Sequence, residues 1–287
     1  MKTKLLACSF LAAVTAATAE TSLWKVQSGD SVLYLGGTCH VLRPTDYPLP
    51  AAFDAAYRDA ALLVVEAPLD RMSDPSVQAQ IMIKSVYADG STLSSVLSPA
   101  TYAMLKRHCD DVGLPLAQMD SLKPAAVAMT LVVVALRKVG VAETGVDAHF
   151  FEKAKQDGKP VEGLESVDEQ ISLIADMGKG KEDAFMQYML EDMDQLPQVM
   201  NDLIGAWREG DRERMWELFV KDVKEKSPEL YDDMFVKRNN AWLAKIRAYL
   251  ATNDKELILV GAGHLAGPDG LLAQLEAQGF RLEPVED

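Results

Sequence analysis

The sequence predicts an α/β fold: a central mixed, largely parallel sheet flanked by helices, with a mostly helical insertion before the last strand–helix–strand unit. Three observations predict it. Ala61-Leu-Leu-Val-Val65 is a short, unbroken apolar run, the pattern of a strand buried on both faces. Leu257-Ile-Leu-Val260 repeats that pattern near the other end of the chain. Between them the helical period dominates, above all from Asp168 to Leu250. Strands that alternate with helices imply a sheet covered on both faces.

Taken in order, the chain opens with Lys2 and Lys4, an apolar run from Leu5 to about Val14, and the small-x-small pattern Ala17-Thr18-Ala19. That is the layout of an export signal, so residues 1–19 are expected to be removed. The run is shorter than the roughly 20 apolar residues that a spanning helix needs. Residues 20–287 are expected to form a single domain, exported to the periplasm or secreted, with no transmembrane segment in the mature chain. Leu23–Val26 and Ser31–Leu35 flank Ser28-Gly29-Asp30 and read as a hairpin whose second strand runs into Gly36-Gly37. A proline-rich loop leads to an amphipathic helix around 51–60, and residues 71–120 are mostly helical. Ser98-Pro99 starts one of these helices and Gly113 stops it. AAVAMTLVVVAL, inside Lys123 to Arg137, is the most apolar stretch of the mature chain and predicts a buried core helix.

Thr144-Gly-Val-Asp147 opens a helix that closes at Gly158, with Asp147 either a cap or a site residue. Lys159 to Leu164 is a brief strand leading into Glu165. Gly210-Asp211 separates two helices, with Trp207 and Trp216 expected to pack that corner. The last unit is the strand at 257–260, the turn Gly261-Ala-Gly-His264, a helix from about Pro268 and a strand from Phe280 to Val285.

The formal net charge is −14. So acidic a chain repels phosphate backbones unless it carries a basic patch, and none is visible, which excludes nucleic acid as a partner. Cys39 and Cys109 are the cysteines of the mature chain, and the sequence leaves open whether they pair. A Cys39–His40 nucleophilic dyad is geometrically poor, because adjacent side chains of an extended segment point to opposite faces.

The chain has four histidines, and two of them follow glycines at the ends of strands. Gly37-Thr-Cys-His40 aligns with Gly261-Ala-Gly-His264, and Pro44 and Pro268 fall at the same offset. Ligands of open α/β sheets bind outside the carboxyl ends of the strands. Glu66 and Glu165 end two further strands, where a carboxylate is costly unless paired, hydrogen-bonded or metal-bound. Two histidines with carboxylates suit a divalent transition metal with open positions for water and substrate. The bland alternatives are a hydrogen-bonded structural histidine and helix-capping glutamates. His108 beside Cys109 offers no chelating spacing. Arg238 reads as a fork of donors for a substrate carboxylate or a developing oxyanion, or else as a surface ion pair.

YLGGT before His40, VGAGHLAG around His264, VVEAPLD around Glu66, GKPVEGLESVDEQ at 158–170, W-x-x-G-D at 207–211 and RNNAW at 238–242 form an ordered set. The set resembles the TraB/GumN family, which includes the TIKI-type proteases. The resemblance implies a TIKI- or erythromycin-esterase-like fold over residues 20–287. It also implies a metal-dependent peptidase site, with His40, His264 and Glu66 holding a manganese, cobalt or zinc ion. Glu66, Arg238 and Glu165 are then the catalytic candidates. The expected function is a metal-dependent hydrolase acting on a peptide or small-molecule amide. The alternatives are a non-catalytic ligand- or metal-binding protein on the same fold, and a metal-free hydrolase in which histidine and glutamate activate water.

Overall fold

The computed structural model describes residues 20–286 except 69–70, 72–73, 139, 142–143, 192 and 194–195. The expected export signal lies outside the described residues. Among the described residues six strands form one sheet: β1 (Glu20–Ser28), β2 (Ser31–Thr38), β3 (Leu62–Val65), β4 (Val161–Gly163), β5 (Glu256–Gly261) and β6 (Arg281–Glu286). Their spatial order is β4-β3-β5-β2-β1-β6. The α/β class stands, but the sheet is mixed, with three parallel pairings along β4-β3-β5-β2 and two antiparallel ones at β2-β1-β6. The reason is local. Gly29, at φ 59°, and Asp30 make a two-residue turn, and so short a link joins only antiparallel strands. β5 and β6, read as one terminal unit, have β2 and β1 between them.

The core follows the apolar runs. Leu257, Ile258, Leu259 and Val260 are fully buried at the centre of the sheet. The helix Ala51–Asp59 lays Phe53 on Phe150 of the helix Val146–Asp157 and on Trp207 of the helix Leu196–Glu209. Trp207 reaches past its corner to donate through Nε1 to the Gly37 carbonyl at 2.6 Å. Trp216 goes elsewhere, onto Tyr231. The apolar helix Pro124–Lys138 touches this core only at its end, through Leu136. It packs in a second cluster with helices Pro99–Val112 and Glu182–Glu191, and leaves Met129 38% and Val133 39% exposed. Among the described residues no helix is long and apolar enough to cross a membrane. One irregularity matters for the site. A π-helical turn, Asp232–Val236, runs directly into the helix Lys237–Tyr249, and such turns recur where a helix must aim a side chain.

Candidate active site

The parallel register decides which residues meet. Val65 pairs with both Leu259 and Gly163, and Thr38 pairs with Gly261, so four neighbouring strands end together. The ladder runs on past β3, with Glu165 N–H donating to the Glu66 carbonyl at 2.8 Å. Glu66, Glu165, His40 and His264 each stand one to three residues beyond a strand end. They therefore share the crevice that open α/β sheets present to ligands. The two histidines, 224 positions apart in sequence numbering, do converge: each Nε2 lies 3.9 Å from the same atom, Glu66 Oε1.

Each imidazole is aimed by an acceptor behind it. His40 Nδ1–H donates to Asp147 Oδ2 at 2.9 Å, and the Thr38 hydroxyl donates to Asp147 Oδ1 at 2.7 Å. His264 Nδ1–H donates to Asn239 Oδ1 at 2.7 Å, and the Asn239 amide donates onward to the Asp269 carbonyl at 2.9 Å. Both rings thus turn Nε2 into the crevice, the arrangement by which outer acceptors fix the tautomer of ligating histidines. Asp147 reaches His40 because residue 145 is glycine. A Cβ there would sit 2.2 Å from the His40 carbonyl carbon, so no other residue lets the helix Val146–Asp157 start this close. Gly261 opens the other side: a Cβ on it would lie 3.0 Å from His40 Nε2 and 3.3 Å from Glu66 Oε1. That unfilled slot is the space between the two reactive atoms.

Arg238 ties the crevice together. Nε and Nη2 bind Glu165 at 3.0 and 2.7 Å, and Nη2 also binds Glu66 Oε2 at 2.6 Å. Nη1 donates to His264 Nε2 at 2.9 Å and to the Met234 carbonyl of the π-helical turn at 3.3 Å. A guanidinium carries five N–H groups, and these contacts use them all. The expected free fork for a substrate is, in this state, a closed clamp on the site's own side chains. The surface ion pair is also ruled out, since the Arg238 side chain is only 10% exposed.

The model of the TraB/PrgY/gumN family matches residues 22–284. The chain belongs to the TraB/PrgY/gumN family. It is 26% identical over 251 residues to a protein of Escherichia coli K12 described as uncharacterized protein YbaP, covering 86% of this chain and 88% of that one. A Shigella flexneri protein of the same description matches to the same extent. No solved structure matches the chain.

The electrostatics of this TraB/PrgY/gumN site separate its two histidines. His40 is 60% exposed at its side chain, and the Asp147 carboxylate raises its pKa to about 9. His264 is buried, and burial with the nearby Arg238 charge lowers it to about 3, so it stays neutral. Burial pushes Glu66 up. His264, His40, Arg238 and the Gly261 N–H, which donates to Oε1 at 2.7 Å, pull it down further, to about 2. Because His264 is itself neutral at pH 7, the charges of His40 and Arg238 and the Gly261 N–H keep Glu66 ionised. Glu165 is raised by burial, against the pull of Arg238.

These donors can be tested against the ion that the resemblance implies. Two Nε2 lone pairs and a carboxylate oxygen around an unfilled slot match the chemistry of a small divalent cation. Their spacing is wider than ligation needs. Donors bound at about 2.1 Å to one tetrahedral ion stand about 3.4 Å apart, against 3.9 Å here. Among the described residues no group of three or more His, Cys, Asp and Glu side chains stands close enough to hold a metal ion. The donor set fits in kind but not in spacing, and Arg238 occupies the His264 lone pair.

Cys39 and Cys109 are free and buried, and burial raises the Cys39 thiol well above its ordinary range. Cys39 is therefore no nucleophile. Sequence reasoning left Asp147 undecided between a cap and a site residue. The signals were present: a glycine two positions before Asp147, and an asparagine directly after Arg238.

Proposed function

We propose that this chain is an exported hydrolase that cuts a peptide or related amide bond at the His40–Glu66–His264 crevice with the help of a divalent metal ion, in the manner of the TIKI-type members it resembles. The observation that carries the reading is the convergence of two outward-anchored imidazoles on one oxygen of a buried carboxylate. His40 and His264 would hold the ion through Nε2, and Glu66 through Oε1. When bound, a divalent cation supplies an activated water and polarises the scissile carbonyl. The rest is the work of the chain. Asp147 and Asn239 keep both Nε2 lone pairs facing inward, and His264 keeps its own free of protons at neutral pH. His40 has to give up the proton that Asp147 favours, so metal uptake releases a proton. Glu165, displaced from Arg238, is the acid–base candidate for the departing amine. Arg238, once released from His264, would stabilise the developing oxyanion. Water oxygen bonds to the carbonyl carbon, the C–N bond breaks, and the amine leaves with the proton.

A second reading is favoured by the closed Arg238 clamp. The guanidinium already holds one lone pair of His264 and one oxygen of Glu66. In that reading no metal enters, and a water between His40 and Glu66 is activated directly. Digestion of a peptide library by the full chain, with and without manganese, cobalt or zinc, tests both. Metal-dependent cleavage that His40→Ala and His264→Ala both abolish supports the first reading. Cleavage that survives chelation favours the second, and no cleavage under any condition overturns both.

A further inference from the structure

Asp269 lies in the turn between His264 and the helix Leu271–Ala277, and it makes two sets of contacts. Its carbonyl accepts from the Asn239 and Gln274 side-chain amides, both at 2.9 Å. Its carboxylate Oδ2 accepts from the Tyr231 hydroxyl at 2.6 Å and from Lys224 Nζ at 3.0 Å. These two partners lie 38 and 45 residues upstream, so they do more than close a turn. Lys224 Nζ also stands 4.9 Å from the centre of the Tyr231 ring, so the three side chains hold one another. The turn itself is cramped. A Cβ on Gly267, whose φ is +78°, would meet Trp216 Cε3 at 2.1 Å, and one on Gly270 would meet the Ala266 carbonyl oxygen at 2.5 Å.

Each set of contacts leads to one nitrogen of the His264 ring. The carbonyl decides how the Asn239 amide faces. Nδ2 of Asn239 donates to the Asp269 carbonyl, and to that of His264 at 3.3 Å, which leaves Oδ1 for His264 Nδ1–H. A flipped amide would set its oxygen against two carbonyls and an N–H against Nδ1, and so drive the ring proton to Nε2. The carboxylate holds Tyr231, the residue directly before the π-helical turn Asp232–Val236. Phe235 of that turn lies between Tyr231 and His264, with ring centroids 5.8 and 5.1 Å away. Met234 of the same turn supplies the carbonyl that shares Arg238 Nη1 with His264 Nε2.

We propose that Asp269 is a positioning residue that keeps Nε2 of His264 free of a proton by supporting both groups that restrain the ring. Its carbonyl orients Asn239, and its carboxylate anchors the π-helical turn that aims Arg238. This rests on the hydrolase reading above, in which His264 serves through Nε2, and adds the residue that keeps that atom available.

The test is nitrogen-15 NMR of the histidine rings in the full chain, without metal or substrate. In the parent, His264 should show one pattern, with Nδ1 protonated and Nε2 bare. Asp269→Ala should give a mixture of both tautomers. Asp269→Asn keeps an oxygen for the Tyr231 hydroxyl and should return the parent pattern. Tyr231→Phe, which removes one oxygen, should shift the pattern in the direction of Asp269→Ala. A merely structural residue predicts lower melting with the parent pattern throughout, and that result would overturn the inference. So would an Asp269→Asn variant no nearer the parent than Asp269→Ala. If Asp269→Ala does not fold, Tyr231→Phe decides by the same criterion. Calorimetric titration with manganese separates the inference from the reading beneath it. Binding about tenfold weaker in Tyr231→Phe than in the parent supports both, while equal affinities overturn the inference and leave the metal reading intact. If the parent binds no ion, the metal reading falls, and the ring pattern still decides the role of Asp269.

Discussion

The segments ending in His40 and His264 look like copies of one motif, yet the molecule treats them as opposites. Behind His40 stands a carboxylate, and the ring is mostly open to solvent. Behind His264 stands an amide, and the ring is sealed between Phe235 and Trp242, with ring centroids 5.1 and 4.4 Å away. The first imidazole favours a proton and the second refuses one. A motif places a ring at a strand end, while the residue behind Nδ1 decides what the ring can do. His264 offers a permanent lone pair, and His40 is the group whose state follows pH.

The sharpest way to break this comparison is to delete each ring. His40→Ala and His264→Ala should both abolish turnover. His264→Ala should also destabilise the fold by about 2–3 kcal/mol, more than His40→Ala, because it leaves a cavity and strands Asn239 and an Arg238 N–H. Chemical denaturation of both variants checks this, and equal stabilities would erase the distinction. Arg238→Ala should cost still more stability, about 3–5 kcal/mol, because it strands two buried carboxylates. A variant as stable as the parent would mean that the clamp is not formed.

The acceptors behind the rings give the next test. The His40–Asp147 pairing stabilises the fold fully below the ordinary histidine value of 6.5 and fades as pH climbs through about 9. Asp147→Asn should flatten that limb in thermal unfolding. It should also move metal uptake to lower pH, with a loss of activity of about 10–100-fold. Asn239→Asp should do the reverse at His264, raising its pKa. Proton NMR of the ring resonances across pH reads both, and two unchanged titrations would refute the roles given to residues 147 and 239. The mildest change is Gly261→Ala. Its backbone sits at φ −50°, which alanine tolerates, so melting should barely shift. The added methyl should lower turnover about tenfold by filling the slot between His40 and Glu66, since small misplacements at a reacting centre carry large effects. Unchanged turnover would show that the slot is not where chemistry occurs.

Much of this was legible in the sequence. Apolar runs ending in Glu66 and Gly261 marked buried strands, and glycine–histidine pairs at strand ends marked a crevice. What stayed hidden depends on how distant segments pack. The placement of β6 beside β1 is a tertiary choice that no period records. The helix Pro124–Lys138 reads as core by composition, yet it builds a separate cluster and lends Met129 to the crevice. Asp147 lies 107 positions from His40, and Arg238 lies 172 from Glu66. No spacing rule links such pairs. Arg238 could be picked out by its motif, but its saturation by five protein acceptors appears only once four strand ends and a π-helical turn are assembled.

The central claim is that His40, His264 and Glu66 act together on one divalent ion. Calorimetric titration of manganese into the chelator-treated full chain tests it most directly. One site per chain, with a proton released on binding and the site lost in His264→Ala, is the predicted result. No binding, or binding that survives the loss of His264, would contradict it.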